Sequence, residues 1–291
     1  MTKRIYLDTN HWIKIAQIAN GKENDPGYKK IYKKIKLFSD SGKIIFPISM
    51  AHVHELATHS NQKKREEMID LLVDVSKGWF LQPVTLFFEK EIENAIRHRI
   101  KQDSLHDINQ EIVQKGLSYF AGLDFDQFMK DKNPPPEFMD KLRSSFKEFN
   151  EDLETIRNNL KDPQVVKISL DALQANQELI VDLEKNRRKR RGSDKSRRKR
   201  FSEASSICDL VVPHMSKFIL SNNIPPKDVL DYSQNSDIIQ AFVEDMPALN
   251  VFCKLSYARD EVSPERPIKT NDHWDLVHFS GAIPYCDVLV T

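Results

Sequence analysis

The apolar positions of this chain change their period as it runs. Ile5, Tyr6 and Leu7 form a short run of β-favouring residues that stops at Asp8-Thr9-Asn10, and Trp12, Ile13, Ile15, Ala16 and Ile18 follow at helical spacing. The pattern predicts strand, loop, helix. Lys43 to Ile48 reads as a second buried strand, with Ser49 placed as the N-cap of a helix through Met50, Val53, Leu56 and Ala57. At the far end the order is reversed: a helix from Asp272 to Ala282, a turn at Ile283-Pro284-Tyr285, and a strand over Asp287 to Thr291. Alternating strands and helices of this kind predict an α/β fold, a parallel sheet flanked by helices.

The middle of the chain has a different rhythm. Leu142, Phe146, Phe149, Leu153, Ile156 and Leu160 alternate steps of four and three, and Val165 to Leu183 continues in helical style. Ala204, Ile207, Cys208, Val211, Val212, Met215, Phe218 and Ile219 trace one face of a further helix, and the prolines at 134–136 and 225–226 mark breaks. The expected organisation is therefore a discontinuous α/β domain, residues 1–61 and 251–291, carrying a large mainly α-helical insertion over 62–250.

Composition narrows the class. With 40% hydrophobic and 30% charged residues, the chain is neither a membrane protein nor a disordered one, and 8 glycines among 291 residues are too few for an all-β fold rich in tight turns. Cys208, Cys253 and Cys286 are widely spaced and odd in number, which gives neither a disulfide framework nor a zinc pattern and points to a reducing, cytoplasmic setting. No apolar run is long enough to anchor the chain, so no membrane is expected. The net charge of +1 hides an asymmetry. Arg187, Arg188, Lys189, Arg190, Arg191, Lys195, Arg197, Arg198, Lys199 and Arg200, against Asp194, give a local +9 and leave −8 for the rest. Such a run is commonly a solvated loop, or a nuclear-localisation signal, yet it would also concentrate polyanions and make their binding salt-dependent.

In an open parallel sheet, sites form at the carboxyl ends of strands. Asp8 is at such an end, Glu55 falls about two turns into the helix after the second strand, and Asp272 and Asp275 share a helix face at i and i+3. Carboxylates gathered in one crevice need a compensating cation. An oxygen-only donor set suits Mg²⁺ or Mn²⁺, and such ions can clamp the oxygens of a phosphodiester during hydrolysis. Each acid also has a plainer reading: a turn residue for Asp8, a helix N-cap for Asp272, a solvated helix position for Glu55, and a cap or ion pair for Asp287, which begins the last strand away from the crevice. Asn10 is placed either to form the turn or to hold the Asp8 carboxylate. His52 and His59 flank Glu55, while His52 and His54, at i and i+2, point to opposite sides of a helix and form no chelating pair.

The stretches Ile5-Tyr6-Leu7-Asp8-Thr9-Asn10, Phe46-Pro47-Ile48-Ser49 leading to Glu55, Asn271-Asp272-His273-Trp274-Asp275 and Asp287-Val288-Leu289-Val290-Thr291 together resemble the PIN domain, a metal-dependent ribonuclease fold related to the flap nucleases. The resemblance covers about 100 residues in pieces, and the helical middle lies outside it. It implies Asp8, Glu55 and Asp275 as catalytic metal ligands, with Asp272 and Asp287 as lesser candidates and Asn10 supporting Asp8. It further implies Mg²⁺ or Mn²⁺ as cofactor and an endoribonuclease, a hydrolase acting on phosphodiester bonds of single-stranded RNA and leaving a 5′-phosphate. Family members commonly carry a further acid or Asn after the strand-terminal Thr, so the sequence reads as truncated at Thr291. A toxin or defence-system effector with a neutralising or effector protein partner would fit this reading. The alternatives are a catalytically silent RNA-binding module, using the basic cluster, and an adaptor whose helical middle binds a protein.

Overall fold

In the computed structural model, which describes residues 2–101, 105–120, 125, 129, 132, 135–190, 211–225 and 241–291, the opening apolar run is strand β1 (Lys3–Leu7) and the amphipathic stretch after it is helix α1 (Thr9–Ala19). Helix α2 (Pro26–Asp40) comes next, opened by the Asp25 carboxylate, which accepts from the amides of Gly27 at 2.7 Å and Tyr28 at 3.0 Å. Strand β2 (Ile44–Ile45), helices α3 (Met50–Ala57) and α4 (Gln62–Ser76), and strand β3 (Trp79–Leu81) follow. Then come α5 (Val84–Arg99), the short α6 (Ile108–Glu111), β4 (Val113–Lys115), the short α7 (Leu117–Phe120), α8 (Pro136–Glu151), α9 (Leu153–Lys161) and α10 (Pro163–Arg190). The chain closes with α11 (Val212–Ser221), α12 (Pro247–Val262), α13 (Thr270–Tyr285) and β5 (Val288–Val290).

The described residues are mostly helical around a small parallel sheet of order β2-β1-β5. Central β1 pairs Lys3 with Ile44 on one side and Ile5, Tyr6 and Leu7 with Val288, Leu289 and Val290 on the other. This is the parallel arrangement that the terminal segments predicted. A ladder outside that expectation, β3 antiparallel to β4, is joined to the chain after β2 by bonds from the Ile48 amide to the Trp79 carbonyl and from the Leu81 amide to the Ile48 carbonyl, at 3.0 and 2.8 Å.

Contacts divide the chain into two compact units: Met1–Pro83, Gln110–Ala175 and Tyr285–Thr291 form the first, and Val84–Asn109 with Asn176–Pro284 form the second. In the first, one buried cluster joins Leu7 of β1, Trp12 and Ile15 of α1, Ile48, Leu72 and Val73 of α4, Phe80 of β3, and Ile156 and Leu160 of α9. Segments from within 62–250 thus complete the core under β1, because the apolar face of a small sheet must be covered by a second layer. The α4 to β3 turn needs left-handed backbone at Lys77 and Gly78, and a Cβ on Gly78 would lie 2.9 Å from the Ile156 side chain.

The four-and-three seam from Leu142 to Leu160 is broken. Asp152 is extended and caps α9 by accepting from the Thr155 amide at 2.7 Å, so Ile156 and Leu160 are buried while Phe149, before the break, is 61% exposed. The expected turn at 283–285 is instead the last turn of α13, which Pro284 ends by lacking an amide donor. Of the face expected from Ala204 to Ile219, the residues from 212 onward are helical, and Ala204, Ile207 and Cys208 lie outside the described residues. In the second unit, the buried Glu91 of α5 accepts from the amides of Ala248 at 2.9 Å and Leu249 at 3.3 Å, capping the start of α12. No helix among the described residues is long and apolar enough to cross a membrane.

Candidate functional site

Asp8 follows the last residue of β1 and opens α1, with extended backbone at φ −64° and ψ 154°. An Asp in that position ordinarily turns its carboxylate onto the free amides of the first turn. Asp25 and Asp152, in the same unit, do so. The Asp8 carboxylate makes no cap bond; its Oδ2 accepts instead from the Asn10 side-chain amide at 3.0 Å. Asn10 therefore takes the supporting place that was one of its two expected roles. Oδ1 has no protein donor among the described residues, and no cation there pairs with Asp8. The parallel register carries Thr291 to the same carboxyl edge, with the Asp8 amide bonded to the Val290 carbonyl at 2.9 Å.

Glu55 is in the second turn of α3, half-buried, between the buried Leu56 and His54. The two acids bear on one group. Burial raises the Tyr6 phenol far above its ordinary value, a bond to Ser49 opposes the rise, and the carboxylates of Asp8 and Glu55 both add to it. A phenol that feels both charges marks the corner between the end of β1 and α3 as a shared electrostatic environment.

Beneath that corner is a polar cluster that the sequence reading did not single out. The Tyr6 hydroxyl and Ser49 Oγ are 2.8 Å apart, Ser49 Oγ is 3.3 Å from His52 Nδ1, and the Ser49 amide donates to Nδ1 at 3.0 Å. His52 Nε2 is 2.8 Å from the Leu7 carbonyl oxygen, which can only accept, so Nε2 carries the proton and Nδ1 is the acceptor. Tyr6, Ser49 and His52 are all buried, and Tyr6 stacks on the imidazole with ring centroids 5.1 Å apart. Burial pushes the His52 pKa down to about 4, against smaller opposing effects of the Leu7 carbonyl and Asp8. The imidazole is neutral at pH 7. The available signal was Ser49 and His52 at i and i+3 across a helix start, the spacing of a reciprocal cap. His54 bonds the Ser169 backbone, away from His52, as spacing two apart requires.

The remaining acids are spent differently. Asp272 lies in the first turn of α13, two residues inside the start, and accepts from Arg259 Nη2 at 3.3 Å, Arg266 Nη2 at 2.5 Å and the Lys269 amide at 3.0 Å. It reaches back to the helix start from within, where an N-cap had been expected. Asp275 is one turn further along α13, half-buried, in the second unit. Asp287 accepts from the Arg4 amide at 2.8 Å at the amino edge of the sheet. Four residues of extended strand, about 13 Å, separate that edge from Asp8, too far for a shared ion. Of the basic cluster, Arg188 pairs with Glu184 at 2.9 Å at the end of α10 and Lys189 is exposed; residues 191–200 lie outside the described residues.

The donor set at Asp8 and Glu55 is all oxygen, and the unclaimed Oδ1 of Asp8 fits a hard divalent cation. Among the described residues no group of three or more His, Cys, Asp or Glu side chains is arranged to hold a metal. No family model, curated protein or solved structure matches the chain.

Proposed function

We propose that this chain is a PIN-like, metal-dependent endoribonuclease that hydrolyses phosphodiester bonds in single-stranded RNA, with Asp8 and Glu55 as anchoring carboxylates and Asp275 as the third acid. The observation that carries the reading is the behaviour of Asp8, an aspartate at a helix start that forgoes its cap, is held by Asn10, and keeps one oxygen without a protein donor. A cap contributes about 1 kcal/mol, and forgoing it is explicable where the carboxylate serves something else. Mg²⁺ or Mn²⁺ bound there would supply Lewis acidity and an activated water at neutral pH. Asp8 and Glu55 contribute the negative charge that attracts the ion, Asn10 restrains the Asp8 carboxylate, and the neutral His52 adds no positive charge to compete with a cation. Asp275 enters on the resemblance alone, as do the cytoplasmic setting and the role as toxin or defence effector.

RNA capture on this reading falls to cations away from the acids. The cluster from Arg187 to Arg200 is one source; the exposed Lys30, Lys33 and Lys34 of α2, on the side opposite the buried Ile35 and Ser39, are another. A catalytically silent RNA-binding module is the second reading, favoured by the engagement of Asp272 with Arg259 and Arg266, which leaves Asp275 as the acid of α13 for this role. The deciding experiment is incubation of end-labelled single-stranded RNA with the protein and Mn²⁺. Internal cleavage that chelation stops and that Asp8→Asn and Asp275→Asn each remove supports the nuclease; RNA retention without cleavage by the parent chain supports the silent module.

A further inference from the structure

The buried trio of Tyr6, Ser49 and His52 joins the two segments that carry the proposed ligands. His52 lies on α3 one turn before Glu55, and its Nε2–H reaches the carbonyl of Leu7, the residue immediately before Asp8. Its other nitrogen closes the start of its own helix through the Ser49 amide. One imidazole therefore fastens the end of β1 to the helix of Glu55 while capping that helix. A cap alone needs a single acceptor at this position, and it is the second nitrogen of the imidazole that extends to the other strand. A buried imidazole with both nitrogens satisfied has fixed orientation, and its tautomer is set by the acceptor that Leu7 supplies.

We propose that His52 is a positioning residue, whose Nε2–H bond to the Leu7 carbonyl sets the place of Asp8 relative to Glu55, and that this tie, more than the helix cap, determines the divalent-cation affinity of the pair. The part concerning the cation rests on the function proposed above; the part concerning Asp8 does not. The Ser49 hydroxyl lies on the Nδ1 side of the ring, 2.8 Å from the Tyr6 hydroxyl and 3.3 Å from Nδ1, and takes no part in the Leu7 bond.

The two functions of the imidazole can be separated, because amide side chains reproduce one nitrogen each. His52→Gln places an N–H near the Nε2 position and retains the tie to Leu7. His52→Asn places an oxygen near Nδ1 and retains only the cap. Mn²⁺ affinity is measured by calorimetry, amide exchange at Asp8 without metal by NMR, and the melting temperature for each protein. His52→Asn is expected to weaken Mn²⁺ binding about 10-fold or more, the scale of losing a group that orients a ligand, and to speed Asp8 exchange about 10-fold. His52→Gln stays within about 3-fold of the parent in both. If the two variants lose affinity and protection equally, in step with their melting temperatures, or if His52→Asn loses neither, the proposal is overturned. If the parent binds no Mn²⁺, the metal reading fails while the exchange difference still decides the positioning role. Should His52→Asn not fold, Ser49→Ala takes its place: it leaves the Leu7 tie and the amide donor, so Mn²⁺ affinity within about 3-fold of the parent supports the proposal and a 10-fold loss overturns it.

Discussion

Asp8 of the first unit and Asp272 of the second both stand in the opening residues of a helix, and they use their carboxylates in opposite ways. Asp272 accepts from two guanidinium groups and a backbone amide, and its side chain is 14% exposed. Asp8 gives one oxygen to Asn10, pairs with no cation among the described residues and leaves the other oxygen open. A carboxylate surrounded by arginines has its charge balanced by the protein, and a dication arriving there would have to displace them. An unbalanced carboxylate invites one. Residue type and position nominate both aspartates, Asp272 as the lesser candidate, and partners separate them.

The largest expected effect breaks that contrast if it fails. Asp8→Asn keeps shape and removes charge, so Mn²⁺-dependent cleavage of single-stranded RNA should fall by about 100-fold or more, beyond the loss typical of outer partners of a metal ligand, with the melting temperature unchanged. Asp272→Asn should leave cleavage within a few-fold. Comparable losses in both variants, from initial rates at saturating RNA, would sink the distinction.

The next effect concerns the corner beneath Asp8. The pKa of His52 in the fold is about 4 against an ordinary 6.5, with burial as the main cause. The unfolded chain then binds more protons than the fold between those values. Stability is untouched above pH 6.5, falls as pH drops towards 4, and loses about 3 kcal/mol over that window. His54, also lowered by burial, acts with the same sign. Denaturant unfolding at pH 7 and pH 4.5 checks this: the parent should lose more stability than His52→Gln, which has no proton to gain. Equal losses would mean that the imidazole is not buried neutral.

Much of the sheet was legible because its signals are local. Ile5 to Leu7 and Val288 to Val290 are apolar runs bounded by polar residues, and each became a strand. The seam from Leu142 to Leu160 misled because apolar spacing does not register a cap, and Asp152 breaks the helix in its middle. The contribution of α4 and α9 to the core under β1 was illegible, since burial by a sequence-distant helix depends on which surface β1 and α1 leave uncovered. The same holds at the site. Asp8, Asn10 and Glu55 were nominated from position, while the bond from His52 to Leu7 spans 45 residues and leaves no spacing to count.

Stability separates the aspartates in the reverse direction. Asp272→Asn removes the charge that Arg259 and Arg266 face, and leaves a half-satisfied pair beside the start of α13. The expected loss is about 1.5 to 3 kcal/mol, the range for hydrogen bonds to charged groups, read as a shift of the denaturant midpoint at constant slope. No loss would show that the arginines are solvated equally well without it, and would return Asp272 to the list of ligand candidates.

The smallest effect compares the units as sources of positive charge. Lys30, Lys33 and Lys34 line one exposed side of α2, and Ile31 and Leu37, 46% and 64% exposed, are six positions apart and so on different faces. That leaves no apolar stripe for a bilayer surface and a stripe of ammonium groups suited to phosphates. The cluster from Arg187 to Arg200 has ten cations, of which Arg188 already has a partner in Glu184. If each contact releases about 0.7 of a counterion on single-stranded RNA, Lys30, Lys33 and Lys34 changed to Gln should lower the slope of log affinity against log salt by about 2. Replacing the cluster should lower it by more, and neither change should slow single-turnover cleavage at saturating RNA as Asp8→Asn does, because phosphate neutralisation needs no defined geometry. An unchanged slope in the α2 variant would assign capture to the cluster alone. An unchanged slope in both would remove RNA from the reading and leave the protein-partner alternative, whereas a collapsed saturating rate in the cluster variant, with the fold intact, would place those cations in the reaction itself.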